Sequence, residues 1–445
     1  MVSENIAAIS TGLVASGVAV IRISGDSPLK IAKNMFKPIG KTAVENFEPY
    51  KMYVGEIQAE DFTDFGMCVY FKGPNSFTGE DIVEFHSHGG VAITKGILKK
   101  ILTLGARLAG NGEFTKRAFM NGKLSLSSAE GLIDMINSES VSGVKAGYYL
   151  YREKLTSEII SLQDKLTDVL AEIDADMDFP EEDLEKKSTD TLVKEVEYVC
   201  RRIDGLLSTY RTGRKLKNGV RVGIVGKPNT GKSSIFNALL NFDRAIVSDV
   251  AGTTRDVVEG AIDINGVTFN FSDTAGIRES EDAIENMGVV LSKRVLDESD
   301  VLLFVLDGGD VDNEDNAIYQ MVKDKNVVVA VNKTDKGEYS DDRADIYLSA
   351  KTGKNLEQLK QVLFDKSVGS GMDLNGDFLC EERHFDALKR AKNKLQSALN
   401  NVGAVPLDML AIDVKDGWDA LGEISGKTAT EEIINDIFSK FCVGK

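Results

Sequence analysis

Apolar positions in the first 115 or so residues alternate with turns rich in Gly, Asn and Ser. Residues 17–24 and 66–72 carry short apolar runs that are typical of β-strands. Residues 91–104 instead place apolar side chains three and four positions apart, which predicts an α-helix. The pattern therefore predicts a compact N-terminal α+β domain, which we place at residues 1–118.

From about residue 127 onward, apolar positions recur at helical spacing. They do so over 141–170 and 192–207, and again over 384–399 and 430–441. An acidic stretch with a proline, residues 178–183, predicts a break between two long helices. Since the helical blocks 119–216 and 380–445 flank a block of different character, we predict one all-α domain into which another domain is inserted.

The central block, residues 217–379, alternates strand and helix patterns. The predicted strands are 221–225, 267–271, 301–306, 327–331 and 345–348. This alternation favours a mostly parallel, doubly wound α/β sheet. The chain as a whole is predicted to be a multi-domain α+β and α/β protein.

Composition narrows the class of protein. A chain of 445 residues is too long for a single core and suggests two or three domains. No apolar run approaches membrane-spanning length, and no basic-then-apolar signal region opens the chain, so we expect a cytoplasmic location. Disulfide and zinc frameworks are disfavoured because the cysteines lack paired spacing: Cys68, Cys200, Cys380 and Cys442.

The formal net charge of -17 argues against a large nucleic-acid footprint, because phosphate contacts require Lys and Arg. Local patches can differ from the total. One basic cluster precedes the first predicted strand of the central block, and it consists of Arg211, Arg214, Lys215, Lys217 and Arg221. We interpret this cluster as a solvated linker that enters the central domain.

A glycine-rich loop carries the clearest chemical signal. Residues 226–233, GKPNTGKS, fit the pattern GxxxxGK[ST] between an apolar strand and an apolar helix start. In that context, backbone N–H groups and the helix N-terminus hold a polyphosphate, and Lys232 neutralises it. The loop therefore predicts a nucleotide phosphate site.

Four more motifs follow in order and identify the nucleotide as guanine. Residues 252–256 offer a threonine hydroxyl to Mg²⁺, and 273–276 (DTAG) offer an aspartate and a γ-phosphate sensor. In 332–335 (NKTD), the Asp335 carboxylate can accept two N–H bonds from guanine, and 349–351 (SAK) cap the base. All five motifs fall at carboxyl ends of strands, where ligands bind in open α/β sheets. The predicted nucleotide-binding residues are Asn229, Thr230, Gly231, Lys232, Ser233, Ser234, Ser248, Asp249, Val250, Ala251, Gly252, Thr253, Thr254, Asp273, Thr274, Ala275, Gly276, Asn332, Lys333, Asp335, Ser349, Ala350 and Lys351.

The catalytic machinery differs from that of Ras-like GTPases. Those enzymes place a glutamine directly after DxxG to orient the attacking water, and here that position is Ile277. An arginine finger is not obvious either. Arg255 and Arg278 are candidates for that role, or else members of structural ion pairs.

A family resemblance extends over all 445 residues. It rests on GVAVIRISG, GPNSFTGEDIVEFHSHGG, GEFTKRAFMNGKL, DFPEED, GKPNTGKSSIFNALL, AGTTRDV, DTAGIRES and the terminal FCVGK. With these residues the central domain resembles the TrmE–Era–Der branch of translation-factor-type GTPases, and the whole chain resembles the MnmE (TrmE) family of tRNA-modification GTPases. The resemblance implies an N-terminal folate-binding and dimerisation domain, a discontinuous helical domain, and an inserted Ras-like P-loop G domain.

For the G domain, the resemblance implies potassium-stimulated GTP hydrolysis with dimerising G domains. K⁺ takes the position of the arginine finger, and its implied ligands are Asn229, Ser248, Val250 and Thr253. Glu285 is implied to position the attacking water, whereas from the residues alone its acidic loop is also typical of solvated surface. Mg²⁺ is expected at Ser233 and Thr254.

For the N-terminal domain, the resemblance implies a tetrahydrofolate derivative, in the 5-formyl or methylene form, bound by Arg22, Glu84, Lys123 and Lys445. A pterin offers N–H donors to a carboxylate such as Glu84, and a glutamyl tail is attracted by cations. Each charged residue taken singly is also compatible with a surface ion pair. The position of Lys445 at the end of the chain places that terminus near the folate, across a dimer.

Three further residues keep alternative interpretations. His86 and His88 are compatible with a metal site, but the i, i+2 pair lacks a third ligand, so satisfied polar histidines are favoured. Their surroundings, residues 74–90, are also compatible with a structured surface loop. Cys442 is either a small buried hydrophobe or a group that carries out one-carbon chemistry near the C-terminus.

The resemblance implies a homodimer that joins an FAD-dependent MnmG/GidA-type protein in a heterotetramer. Together they would add a carboxymethylaminomethyl or aminomethyl group to C5 of the wobble uridine of certain tRNAs. Two alternatives are a ribosome-assembly GTPase of the Era or Der type and a one-carbon enzyme that works alone. The chain shows neither a second glycine loop nor a basic GxxG-centred domain, which the first alternative requires.

Overall fold

The computed structural model describes residues 3–178, 189–242, 260–273, 293–370 and 377–444. The chain divides into two compact units. The first comprises Met1–Ile133, Leu150–Val196 and Asn393–Lys445, and the second comprises Asp134–Tyr149 and Glu197–Lys392. The finer division into an N-terminal domain, a discontinuous helical domain and an inserted G domain stays a prediction.

The first unit contains a seven-stranded sheet. Its strands are β1 (Ile6–Ile9), β2 (Ser16–Gly25), β3 (Phe36–Pro38), β4 (Met52–Gln58), β5 (Thr63–Phe71), β6 (Asp81–Gly89) and β7 (Arg107–Leu108). The spatial order is β3-β4-β5-β6-β2-β1-β7. All neighbours are antiparallel except β1 and β7, which run parallel. This sheet and its helices confirm the predicted α+β fold.

One face of this sheet is covered by helices α1 (Pro28–Lys33) and α2 (Val91–Thr103), and a short 3₁₀ turn lies at Val44–Asn46. Side chains from strands and helices pack together there, among them Ile21, Phe85 and Ile97. Strand residues alternate between the two faces, so Arg22 and Glu84 project to the face opposite this core. Helix α3 (Glu113–Met120) follows β7.

Residues 81–89 correct one interpretation, because they form strand β6 rather than a surface loop. The strand lies between β5 and β2 in the sheet. From Val83 onward, buried residues alternate with more exposed ones, with the period of a half-buried strand. The sequence shows this alternation poorly, because Ile82 and Val83 are adjacent apolar residues and Ser87 is polar but buried.

The remaining helices confirm the predicted helical blocks, with one additional break. They are α4 (Leu126–Asn137), α5 (Val141–Tyr151), α6 (Lys154–Asp178), α7 (Thr189–Asn218), α12 (Glu382–Asn400), α13 (Leu407–Ser425) and α14 (Glu431–Ser439). The predicted segment 141–170 is divided between α5 and α6, where Glu153 has a φ of 58°. Within the first unit, α6 and α13 are joined by a bond from Gln163 Nε2 to the Trp418 carbonyl at 3.0 Å.

The second unit contains a six-stranded sheet with helices between its strands. The strands are β8 (Val220–Val225), β9 (Gly260–Ile264), β10 (Val267–Asp273), β11 (Val301–Asp307), β12 (Val327–Asn332) and β13 (Ile346–Tyr347). The helices are α8 (Lys232–Phe242), α9 (Lys293–Glu298), α10 (Asn313–Val322) and α11 (Leu356–Ser367). The spatial order is β13-β12-β11-β8-β10-β9, and only the β9–β10 pair is antiparallel.

Both faces of this sheet are buried, as expected for a doubly wound fold. Along β11, Leu303 and Val305 join one apolar cluster, while Phe304 and Leu306 join another. Strand β8 lies between β10 and β11, so the strand order reverses beside it. The carboxyl end of β8 is therefore the topological switch point at which ligands of this class bind.

Among the described residues, no helix combines the length and the apolar character that a bilayer crossing demands.

Candidate functional site

The glycine-rich loop runs from the end of β8 to the start of α8. Gly226 has a φ of 143°, and a Cβ there would collide with the carbonyl oxygen of Val305. Gly231, with a φ of 96°, passes equally close to the side chain of Asn332. Both positions therefore need glycine. The loop leads the chain into the N-terminus of α8, and the N-terminus of a helix favours an anion.

Lys232 lies across this loop. Its side chain is buried, and Nζ donates to the carbonyl oxygens of Gly226 at 2.9 Å and Lys227 at 2.7 Å. Ser233 and Ser234 follow in the first turn of α8 and are exposed. The loop thus concentrates a cation, a helix N-terminus and hydroxyl groups in one place, which suits a polyphosphate with its metal ion.

A second lysine anchors the loop, and sequence reasoning missed its role. Nζ of Lys227 lies 2.9 Å from Asp315 and 3.0 Å from Asp312, and it donates to the Asp310 carbonyl at 2.9 Å. Burial lowers the pKa of Lys227, but the bonds to Asp315 and Asp312 outweigh it and hold that pKa above its ordinary value. The Asp310 carbonyl that Lys227 contacts is 83 residues away in sequence, so no local pattern reveals the contact.

Two of the carboxylates that contact Lys227 also define the start of α10. Oδ1 of Asp312 accepts hydrogen bonds from the backbone N–H groups of Glu314 and Asp315, and Oδ2 of Asp315 accepts one from the backbone N–H of Asp312. This reciprocal arrangement is a capping box. Lys227 therefore joins the phosphate loop to a helix N-terminus that is itself well defined.

Asn332 ties three of the predicted motifs together. Its side chain is buried, Nδ2 donates to the Thr230 carbonyl at 2.9 Å, and Oδ1 accepts from the Ala350 backbone N–H at 3.1 Å. Lys333, with a φ of 66°, donates to the Asn229 carbonyl at 2.7 Å and to Asp307 at 2.6 Å. The phosphate loop, the NKTD motif and the SAK motif therefore meet at the carboxyl edge of the sheet, as predicted.

Asp335, the predicted base-reading residue, follows β12. Its carboxylate is exposed, and Oδ1 accepts a hydrogen bond from the hydroxyl of Ser349, which is fully buried, at 2.7 Å. This bond is the main cause of a pKa for Asp335 below its ordinary value, and the nearby charge of Lys351 contributes. An ionised and oriented carboxylate can accept the two N–H groups on one edge of guanine.

Several predicted site residues lie outside the described residues. These are Ser248, Asp249, Val250, Ala251, Gly252, Thr253, Thr254, Thr274, Ala275, Gly276, Glu285 and Lys445, together with Arg255, Ile277 and Arg278. Asp273 ends β10 opposite Ile224 of β8, and its side chain is outside the described set. Of the predicted metal ligands, Ser233 and Asn229 are among the described residues.

The predicted folate residues lie on the first unit's sheet. Arg22 on β2 and Glu84 on β6 are directly opposite each other, with 2.7 Å between Nε and Oε1. Burial raises the pKa of Glu84, but His86, at 3.3 Å, and Arg22 together bring it below its ordinary value. The Arg22 guanidinium also lies over the ring of Phe77, 5.3 Å from its centroid. The pair is half-buried rather than an exposed ion pair.

Lys123 lies beside a cavity of ≈ 380 Å³ in the first unit, and its Nζ donates to the Pro74 carbonyl at 2.9 Å. Phe77 also lines this cavity. Because Phe77 contacts Arg22 on the sheet as well, the structure brings the predicted residues Arg22, Glu84 and Lys123 into one region.

The end of the chain lies beside the same sheet. Val443 forms an isolated bridge with Asn111, and Gly444 packs so closely on the Ile9 carbonyl that a Cβ would collide with it. Ile9 belongs to β1, the neighbour of the strand that carries Arg22. Cys442 is a free, exposed thiol, so its interpretation as a buried hydrophobe is wrong.

Both histidines of the GPNSFTGEDIVEFHSHGG segment have polar partners. His86 contacts Glu84, and Nδ1 of His88 lies 2.7 Å from Asp64. The described residues contain no group of three or more His, Cys, Asp or Glu side chains that could hold a metal ion. The interpretation as satisfied polar histidines is therefore the one the contacts favour.

Comparisons with known proteins match two families to this chain, one over its N-terminal residues and one over most of the remainder. The family described as GTP-binding protein TrmE N-terminus matches residues 5–123, and the MnmE helical domain family matches residues 126–442. A tRNA modification GTPase MnmE from Thermoanaerobacter pseudethanolicus is 37% identical over 460 aligned positions, covering 100% of both chains. One from Caldicellulosiruptor saccharolyticus is 37% identical and covers 99% of both chains.

A solved structure of an Era variant from Aquifex aeolicus bound to GDP and AlF4⁻ is also similar, with 30% identity. It covers 39% of this chain and 66% of its own, and its TM-score of 0.27 is too low to carry an argument. The full-length relatives favour tRNA modification over the ribosome-assembly alternative. Together with the nucleotide-binding motifs and both family matches, they show that the chain belongs to the MnmE family of tRNA modification GTPases.

Proposed function

We propose that this GTPase uses its hydrolysis cycle to drive modification of C5 of the wobble uridine in certain tRNAs. It does so with an FAD-dependent MnmG/GidA-type protein, and the product carries a carboxymethylaminomethyl or aminomethyl group. The observation that carries the nucleotide part is the single side chain of Asn332, which holds the phosphate loop and the base-capping loop together. Asp335, oriented by Ser349, then selects guanine.

A change of nucleotide specificity tests both the base-reading role and the coupling of hydrolysis to modification. Asp335→Asn inverts the hydrogen-bonding partner, so the variant should prefer xanthosine triphosphate to GTP. In a reconstituted assay with tRNA, the flavoprotein and a folate, GTP should support modification by the wild type and xanthosine triphosphate by the variant. Asp342→Asn, an exposed change seven residues away in the sequence, should keep the GTP requirement.

Two outcomes would reject this proposal. A variant that still prefers GTP would remove Asp335 from base recognition. Modification that proceeds equally without any nucleoside triphosphate would show that hydrolysis does not drive it.

Metal ions complete the proposed G-domain site. The exposed hydroxyl of Ser233 in the first turn of α8 suits Mg²⁺, with Thr254 as its second protein ligand. The exposed Asn229 suits K⁺, with Ser248, Val250 and Thr253. Bound K⁺ would supply the positive charge that an arginine finger supplies in other GTPases.

Glu285 is assigned to position the attacking water in this proposal. Glu285→Ala should keep nucleotide binding and slow hydrolysis, and Na⁺ in place of K⁺ should lower turnover of the wild type. Unchanged turnover of the variant would reject the role of Glu285, and equal rates in the two salts would reject the role of K⁺.

A tetrahydrofolate derivative, in the 5-formyl or methylene form, is the proposed ligand of the first unit. The half-buried Glu84 keeps unused lone pairs on both carboxylate oxygens, which suits the donors of a pterin. Lys123 lines a cavity of ≈ 380 Å³, within the usual range for small-molecule sites, where a glutamyl tail would be attracted. Arg22 and Lys445 complete the proposed set, and the ligand would supply the one-carbon unit.

The proposed assembly is a homodimer that joins the flavoprotein in a heterotetramer. Met52, Val54 and Phe65 share the sheet face opposite α1 and α2, and about half of each side chain is exposed. A second copy would cover such a surface. Sedimentation analysis of the purified chain tests the dimer, and co-purification with mass spectrometry tests the flavoprotein.

A further inference from the structure

A basic pocket of ≈ 450 Å³ lies where α7 ends and β8 begins, within the second unit. Four cationic side chains line it, and with Asp300 they define what we call the basic pocket: Arg211, Arg214, Lys215 and Arg221. The fifth residue of the sequence cluster, Lys217, is engaged elsewhere, since it pairs with Asp134 at 2.8 Å and with Glu381.

The fold explains why these cations converge. Arg211, Arg214, Lys215 and Asn218 stand at positions i, i+3, i+4 and i+7 of α7, so they share one helix face. Gly219, with a φ of 78°, then turns the chain into β8. That turn returns Arg221 to the same concavity. The cluster is therefore a folded surface, which corrects its interpretation as a solvated linker.

Most of the positive charge in the basic pocket is not neutralised. Arg211 and Arg214 are exposed and form no ion pair with a carboxylate in the part of the chain that the structure describes. Lys215 donates to a backbone carbonyl, that of Ser367, at 2.6 Å. Only Arg221 faces a carboxylate, with 3.5 Å between its Nε and Asp300. Four cations thus meet one anion on a chain whose net charge is -17.

Helix electrostatics account for only part of this arrangement. Cations in the last turn of a helix stabilise its negative end, which explains Lys215. The effect fades within one turn, so it does not explain Arg211, nor Arg221, which lies on a strand. Burial and, next, the charge of Glu382 raise the pKa of Tyr210, which also lines the pocket, so an acidic side chain lies at that side of it.

We propose that the basic pocket binds the phosphate backbone of the tRNA substrate, an inference that rests on the proposed function. Guanidinium groups bind phosphate oxygens through paired N–H donors, and exposed ones lose no protein partner when they do so. Backbone phosphates position an RNA without reading its sequence. The pocket would thus allow this acidic chain to bind tRNA directly, in addition to any surface that the flavoprotein supplies.

A salt titration tests the inference. Filter binding would measure the affinity of total tRNA for the full chain, alone and with the flavoprotein, from 50 to 300 mM KCl. The double variant Arg211→Ala/Arg214→Ala should lower the slope of log affinity against log salt by about two, since each phosphate contact contributes about 0.9. At 0.1 M salt each lost contact should weaken binding by roughly eightfold.

The matched control is Arg201→Ala. Arg201 lies on the same helix, is 65% exposed, and already pairs with Glu197 at 3.6 Å, so its loss should leave both affinity and slope unchanged. Tripolyphosphate, added at the same phosphate concentration as the tRNA, should not displace the RNA. Displacement would show that the pocket takes small polyphosphates instead.

Three results would overturn the inference. One is wild-type affinity and slope in the double variant. Another is a double variant that binds tRNA normally but no longer binds the flavoprotein, which would make the pocket a protein-docking surface. The third is a wild-type chain that binds no tRNA, either alone or with the flavoprotein. The double variant should hydrolyse GTP at the normal rate. A wrong assignment of the tRNA-binding surface is therefore distinguishable from a wrong proposal about the GTP-driven cycle.

Discussion

The nucleotide site of the second unit and the proposed folate site of the first are built in different ways. In the nucleotide site each motif is a contiguous run that follows a strand, and hydrogen bonds connect the runs, as those of the buried Asn332 side chain to Thr230 and Ala350 do. In the proposed folate site, sheet pairing brings together Arg22 of β2 and Glu84 of β6, whose side chains are 21% and 12% exposed, and Lys123 comes from the segment after α3. A contiguous motif indicates its chemistry in the sequence, whereas single residues that only folding brings together do not.

The difference in burial also implies a difference in sensitivity. Groups that lose a partner inside a buried network keep the full desolvation penalty, since water cannot replace the missing contact. Partly exposed groups recover part of the loss from solvent. Substitutions at the buried Lys227 and Asn332 should therefore have larger effects than substitutions of similar chemistry in the proposed folate site.

The largest effect is expected from Lys227→Met. Lys227 is 8% exposed and its partner Asp315 is fully buried, so the variant leaves a buried carboxylate without its cation. Breaking a buried ion pair in this way costs about 3–5 kcal/mol of unfolding free energy. Calorimetry of the full chain should show a lower unfolding temperature, and GTP affinity should fall because the phosphate loop loses its anchor to α10.

A second substitution separates charge from packing in that experiment. Asp315→Asn added to Lys227→Met removes the unpaired charge, so the double variant should recover part of the lost stability. A single variant as stable as the wild type would show that Lys227 does not anchor the loop. A double variant less stable than the single would show that packing, not charge, dominates.

A smaller loss is expected from Asn332→Ala. The variant leaves the buried Thr230 carbonyl and the partly buried Ala350 N–H without partners, at about 1–3 kcal/mol for a fully buried group. GTP affinity, measured by titration calorimetry, should therefore fall by about a hundredfold or more.

The control for this prediction is Asn326→Ala, at the opposite end of β12. Asn326 also donates two bonds to backbone carbonyls, those of Asp300 and Lys366, but it is exposed. Its loss should change GTP affinity little. Equal losses in the two variants would mean that Asn332 acts on stability alone and does not organise the nucleotide site.

The two sites also differ in how far the sequence predicts them. The glycine loop, NKTD and SAK are local patterns whose strand context fixes their position, so the structure places them where the sequence predicts. The role of Lys227 was not predicted because its partners lie on the loop before α10 and in the first turn of α10, far along the chain. Strand β6 was not predicted because turn residues precede it and one of its buried residues, Ser87, is polar.

The proposed folate site shows why the sequence alone does not predict the other contacts. Nothing near Arg22 in the sequence indicates that it faces Glu84, 62 residues away. That pairing depends on strand order, which places β6 beside β2. Only the family resemblance named these residues, and the sheet then shows how Arg22 and Glu84 come into contact.

Glu84→Gln should have the smallest of these effects. The change keeps the size of the side chain but replaces the carboxylate that Arg22 and His86 contact. The charge-assisted bond that this carboxylate would accept from a pterin N–H therefore becomes a neutral one. Affinity for 5-formyltetrahydrofolate, measured by titration calorimetry, should fall about tenfold, as expected for the loss of about 1.4 kcal/mol.

Glu56→Gln, on the same sheet face but exposed, should bind folate like the wild type. GTP affinity should be unchanged in both. Unaltered folate affinity in Glu84→Gln would remove this carboxylate from the proposed site, and a loss as large as that of Asn332→Ala would contradict the expected difference in sensitivity between the two sites.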